Sequence, residues 1–172
     1  MDTYSEQLVT RTPTGGDKAK KILISIGAIL IATLLMWLSI VFAAYTLILL
    51  VFGVLGLGVY LVSNMDVEYE YIITNDEMDI DKIIGRRKRK RLITIDLRSA
   101  EDFAPYPAAD DIKVDATVHA TTGYEKDAHY LLAQHGAYGK VMLIFNPNEK
   151  TREAIMQEIP NQLRIKLTHN AK

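Results

Sequence analysis

Six consecutive cations, Arg86, Arg87, Lys88, Arg89, Lys90 and Arg91, are the densest chemistry in this chain. Such a run can hold phosphate, and three occupants compete for it. Nucleic acid is disfavoured, because the formal net charge of the whole chain is only −1 and much of it is too apolar for water. Anionic lipid headgroups fit better: they attract a polybasic segment by roughly 1 kcal/mol per cation near the surface. The third occupant is internal. Glu68, Glu70, Asp76, Glu77, Asp79 and Asp81 precede the run, and opposite charges facing each other across a hairpin contribute about 0.2–1 kcal/mol per pair. Alternation along a strand sends half the cations to each face, so internal pairing and lipid contact can coexist.

Little else in the chain is equipped for chemistry. His119, His129, His135 and His169 lack metal-ligand spacing and read as surface or strand residues, and the acids near Asp110 and Asp111 lack a calcium-loop pattern. There is no phosphate loop, dinucleotide fingerprint or nucleophile elbow. The absence of cysteine excludes disulfides, thiolate metal sites, thiol catalysis and S-palmitoylation. No catalytic residue, metal or cofactor is expected. A hydrolase with an unrecognised site is the enzymatic alternative.

The element that positions the cations is apolar. From Ile22 to Asn64 the chain runs 43 residues without a charged side chain. A bilayer crossing needs about 20 apolar residues, and one helix of that length would be about 64 Å long. Two spans, about 22–39 and 45–62, joined near Ile40–Ala44, fit better. Val41-Phe42-Ala43 resembles a cleavage site, but the apolar segment before it exceeds the 7–15 residues of a signal core, so retention as an anchor is expected. Trp37 and Tyr45 suit the interface. Lys18, Lys20 and Lys21 flank the first span, and positive-inside bias places the N-terminus in the cytoplasm. Two spans return the chain there, so both termini are expected to be cytoplasmic in a multi-pass protein of the cell membrane. Ala28, Ala32, Gly53, Gly56 and Gly58 are small enough for close helix packing, within the hairpin or in a homo-oligomer. Neither span holds an ionisable residue, which argues against an ion path.

The expected organisation is a cytoplasmic N-terminal tail (1–21), a membrane hairpin (22–64) and a small cytoplasmic α+β domain (65–172). Val67–Ile73, Met78–Ile84 and Arg91–Leu97 read as an antiparallel meander, with turns at Asn75-Asp76 and Gly85. Ser99–Asp111 reads as a loop, Lys113–Ala120 as a weak strand, and Ala128–Gln134 with Val141–Phe145 as a hairpin. Asn146 is the expected cap of a helix that begins at Pro147, carries Glu149 as its capping acid and ends at Pro160. Leu163, Ile165 and Leu167 alternate with Arg164 and Lys166, the pattern of a final strand.

Tyr71-Ile72-Ile73-Thr74-Asn75-Asp76-Glu77, Gly85-Arg86-Arg87 and Leu92-Ile93-Thr94-Ile95-Asp96 together resemble the opening of bacterial pleckstrin-homology-like (PH-like) membrane proteins. The whole chain is also similar to a family of small two-span membrane proteins from Gram-positive anaerobes. The shared features are the Met1-Asp2-x-Tyr4 start, Asp79–Ile84, Arg89–Leu92 and Leu143–Lys150. These resemblances imply an antiparallel PH-like sheet or partial barrel with one helix near the C-terminus, and bring no activity with them. The function expected is a membrane-anchored, non-enzymatic module that contacts anionic lipid or a protein partner, with an accessory subunit of a larger membrane complex as the alternative.

Overall fold

The computed structural model describes residues 3–106, 112–123 and 127–170; Asp110 and Asp111 lie outside them. The chain divides into two compact units. One comprises residues 13–67 with 84–86, and the other residues 1–12, 68–83 and 87–172.

The first unit is a pair of apolar helices, α1 (Gly15–Val41) and α2 (Leu47–Ser63). Thr14 caps α1: its hydroxyl accepts from the Asp17 N–H at 3.3 Å, and the Asp17 carboxylate accepts from the Thr14 N–H at 3.1 Å. The intervening turn, residues 42–46, reverses at Ala43, whose φ of 50° lies in the left-handed region. Ser39 closes this turn. Its carbonyl accepts from the Ala44 N–H at 3.0 Å and its hydroxyl donates to the Ala44 carbonyl at 3.2 Å. Among the described residues α1 alone qualifies as a span by length and composition; α2 is more apolar but has 17 residues, a reach of about 25 Å.

The second unit is built on two four-stranded sheets. The first runs β1 (Tyr4–Thr10), β2 (Val67–Thr74), β3 (Glu77–Ile84), β4 (Lys88–Asp96) in spatial order. The second contains β5 (Ala100–Pro105), β6 (Ala116–Ala120), β7 (His129–His135) and β8 (Gly139–Phe145), in the order β5-β7-β8-β6. Two helices, α3 (Glu149–Glu158) and α4 (Asn161–Asn170), complete it. Tyr71, Ile73, Met78, Ile80, Ile95, Leu131, Leu143, Phe145 and Ile155 form the buried core. Phe145 is central: Tyr71 meets it edge-on at 5.5 Å and Phe103 lies 6.3 Å away. The other face of the second sheet buries Tyr130, Leu132, Met142 and Ile144 beneath Ala104, Tyr106, Ile112 and Val114.

Four expectations are corrected. Residues 1–21 are not a plain tail, because Tyr4–Thr10 forms β1, antiparallel to β2 from Tyr4↔Thr74 to Thr10↔Glu68. Ser5 and Val9 are buried on its inner face, so the domain expected at 65–172 lacked one of its own strands. Within the expected loop 99–111, Ala100–Pro105 is β5, whose Phe103 is buried; it is an edge strand, where proline is tolerated. The cap of α3 is Asn148, whose side chain accepts from the Thr151 N–H at 2.8 Å, while the side chain of Asn146 accepts from the Thr122 N–H at 2.8 Å. Leu163–Leu167 belongs to α4, so the C-terminal end carries two helices rather than a helix and a strand. Leu163 is buried and Ile165 is 67% exposed, a division that the alternation of these residues could not convey.

Candidate membrane-contact site

Of the five small residues expected to pack helices, the fold uses three between α1 and α2. A Cβ on Gly58 would fall 2.8 Å from the Ala28 Cβ, so only glycine permits this approach. Ala32 is buried, as is Val51 of α2. Gly53 and Gly56 are exposed, with open space where a Cβ would stand. An apolar groove of about 470 Å³ follows the seam past Ile29, Met36, Trp37 and Leu55. A second, of about 260 Å³, lies by Ser25, Ala28, Gly58 and Val62.

At the base of the hairpin the two ends of the apolar run meet. The Lys21 ammonium pairs with the Asp66 carboxylate at 2.5 Å. The Asp66 carbonyl accepts the Gly85 N–H at 2.8 Å, which holds the turn between β3 and β4 against the end of α2. Gly85 and Arg86 have φ of 58° and 57°, the consecutive left-handed residues of a tight hairpin turn. A Cβ on Gly85 would lie 2.9 Å from the Asn64 side-chain oxygen and 3.1 Å from the Ser63 carbonyl. Sequence reasoning named Gly85 as a strand breaker but missed this clasp. Its only sequence signal is a cation and an acid, Lys21 and Asp66, bracketing the apolar run.

The basic run starts at this clasped turn, and all six of its side chains are exposed. They are not equivalent. Arg89 pairs with Glu70 at 2.9 Å; Arg91 pairs with Asp79 at 2.5 Å and with Asp81. Glu70 and Asp81 are buried, so these arginines neutralise carboxylates that water does not reach. The hydrogen bond to Asp81 raises the Arg91 guanidinium above its ordinary pKa, against the lowering effect of burial and with help from the charges of Asp79 and Asp81. Thr94 donates to Asp79 at 2.6 Å and steadies the same cluster. Asp76, also expected opposite the run, pairs with Arg98 instead. Among the described residues, Lys88 and Lys90 form no ion pair or side-chain hydrogen bond. Four of the six therefore divide into two arginines committed to the sheet, Arg89 and Arg91, and two lysines open to an external anion, Lys88 and Lys90.

The histidines are scattered. His135 sits at the tip of the β7–β8 hairpin, accepts the Ala137 N–H at 3.1 Å and stacks on Tyr138 at 4.9 Å. His129 lines a groove beside Phe103. Among the described residues no group of three or more His, Asp or Glu side chains is placed to hold a metal ion.

No curated protein and no solved structure matches the chain. The model of the family described as bacterial PH-like domain (DUF6106) matches residues 1–165, a stretch that takes in β1, the helical hairpin, both sheets and α3, and the chain belongs to that family.

Proposed function

We propose that this protein is a membrane-anchored, non-enzymatic binding module whose sheet domain contacts anionic lipid at the inner face of the cell membrane. The observation that carries the reading is the bond from the Gly85 N–H to the Asp66 carbonyl. It ties the turn that precedes the polybasic run in sequence to the segment that follows α2. Lys18, Lys20 and Lys21 add cations at the start of α1, where a headgroup layer would meet them. In this reading both helices span. A reach of about 25 Å for α2 is accommodated by local bilayer thinning at a modest cost. The pairing of β1 with β2 favours the same topology, because it returns both ends of the hairpin to one domain and hence to one side. The lysines make that side the cytoplasm.

The test uses the full chain in nanodiscs. With a photoactivatable side chain at Lys90, crosslinks to lipid are expected in phosphatidylglycerol discs and should fade as salt rises. Equal crosslinking in phosphatidylcholine discs, or none in either, would refute lipid contact.

A second reading, an accessory subunit of a membrane complex, is favoured by Gly53 and Gly56, which face away from α1 into open space. Small residues at such a face let another helix approach. Gly53→Leu should then release an integral partner that co-purifies in mild detergent, while leaving the packing of α1 on α2 intact. Gly58→Leu would disturb the hairpin itself.

A further inference from the structure

Between the edge strand β5 and helices α3 and α4 lies a groove of about 420 Å³, within the range of roughly 300–1,000 Å³ common for small-ligand sites. It belongs entirely to the sheet domain and is independent of the membrane reading. Its floor is apolar: Phe103, Ala104 and Pro105 from β5, Met156 from α3 and Leu167 from α4. Its polar groups are few and of mixed sign. Glu149, Arg152 and Glu153 stand on one face of α3, with His129 of β7 beside Phe103.

Two features of these groups bear on what the groove could hold. Arg152, bracketed by two acids, forms no ion pair or side-chain hydrogen bond among the described residues. Its charge instead bears on His129, whose ring also interacts with the Asp127 backbone. Glu149 and Glu153 are one helical turn apart, a like-charge spacing that costs an isolated helix about 0.2–0.5 kcal/mol. With His129 neutral, the groove sums to one positive and two negative charges. A simple anion would face repulsion from the two glutamates, and a simple cation would face repulsion from Arg152. A molecule carrying both signs satisfies all of them.

We infer that this groove binds a small zwitterion with an apolar body, of the class of aromatic or large aliphatic amino acids. The carboxylate would meet Arg152 and a ring nitrogen of His129, the ammonium would meet Glu149 and Glu153, and the apolar body would lie on Phe103, Met156 and Leu167.

The test titrates the full chain in nanodiscs, by calorimetry and by ligand-observed NMR, with three soluble probes. These are L-phenylalanine, 3-phenylpropanoate, which lacks the amine, and 2-phenylethylamine, which lacks the carboxylate. L-Phenylalanine is expected to bind saturably and tightest. Arg152→Gln should weaken L-phenylalanine and phenylpropanoate by about tenfold, the loss typical of a hydrogen bond to a charged group, and spare phenylethylamine. Glu153→Gln should weaken L-phenylalanine and phenylethylamine and spare phenylpropanoate. Both residues are exposed on the surface of α3, so the variants should fold, and unchanged unfolding temperatures would verify it. Absence of saturable binding, any other ranking of the probes, or variant effects that do not divide by charge would overturn the inference.

Discussion

Gly85 shows how much can hang on one missing side chain. An alanine there would adopt a left-handed backbone at a cost of about 1–2 kcal/mol and would crowd Asn64 and Ser63. Gly85→Ala should therefore lower the unfolding temperature of the full chain in detergent and raise amide exchange at Gly85, the donor to Asp66. Tyr71 is the counterpart in the core. Its hydroxyl donates to the Ala120 carbonyl and accepts the Asn146 N–H at 3.4 Å, and burial pushes the phenol far above its ordinary pKa. Tyr71→Phe leaves that carbonyl buried without its donor and should cost about 1–3 kcal/mol in denaturant unfolding. His129 gives a pH dependence. Burial first, then the charge of Arg152, hold its imidazole below the ordinary value of 6.5, against a smaller opposing effect from the Asp127 backbone. Just below 6.5 the unfolded chain then binds more protons than the folded one, so stability falls as pH drops through that value and stops falling once His129 protonates in the folded state. Thermal unfolding between about pH 7.5 and about 5.5 should show this decline, and His129→Gln should flatten it.

Strand β4 separates two roles that its composition presents as one. Arg91→Gln should destabilise the sheet by about 1–3 kcal/mol, because Asp81 would stay buried with its charged partner gone. Lys88→Ala with Lys90→Ala should change stability by less than about 0.5 kcal/mol, while lowering lipid crosslinking from the neighbouring strand residues. Unfolding curves of the two variants decide between these outcomes and a uniformly solvated run. The meander β2-β3-β4, the β7–β8 hairpin and α3 were legible because each carries its own turn or cap signal within a few residues: Asn75, Gly85, Gly139, Pro147 and Pro160. The position of the cations was legible too, but not which acids they meet, since Glu70 lies 19 residues from Arg89 and register decides which charges meet. β1 was illegible for a stronger reason. Its partner strand lies beyond the whole apolar run, and seven residues with one inward valine give no pattern that stands above a polar tail. In α4, spacing of two between Leu163, Ile165 and Leu167 imitated a strand, whereas the helix uses the spacing of four between Leu163 and Leu167 and leaves Ile165 to solvent.

The apolar helices are an insertion within the sheet domain rather than a preface to it. Strand β1 is fastened on both flanks. Gln7 donates to the Asn146 carbonyl at 2.9 Å and accepts from the Asn148 N–H and the Thr151 hydroxyl at 2.8 Å, and the Thr12 N–H donates to the Thr122 carbonyl at 2.7 Å. A fragment from Met65 to Lys172 should therefore unfold without cooperativity and aggregate through the bared edge of β2. Joining Thr12 to Glu68 by a linker of about 4–6 residues, a usual hairpin length, should yield a soluble domain with a single sharp transition by circular dichroism; a soluble, cooperative Met65–Lys172 fragment would contradict this. The insertion also orders events during biosynthesis. Strand β1 is made before the helices and has no β2 to pair with until the greasy segment and β2 have been made. At about 5–20 residues per second that wait lasts on the order of several seconds, during which the two helices can form and pack while β1 stays unpaired. Closure of the sheet then joins two strands that lie on either side of the helical hairpin in sequence, so anything that keeps β1 away from β2 after that interval would leave the first sheet incomplete.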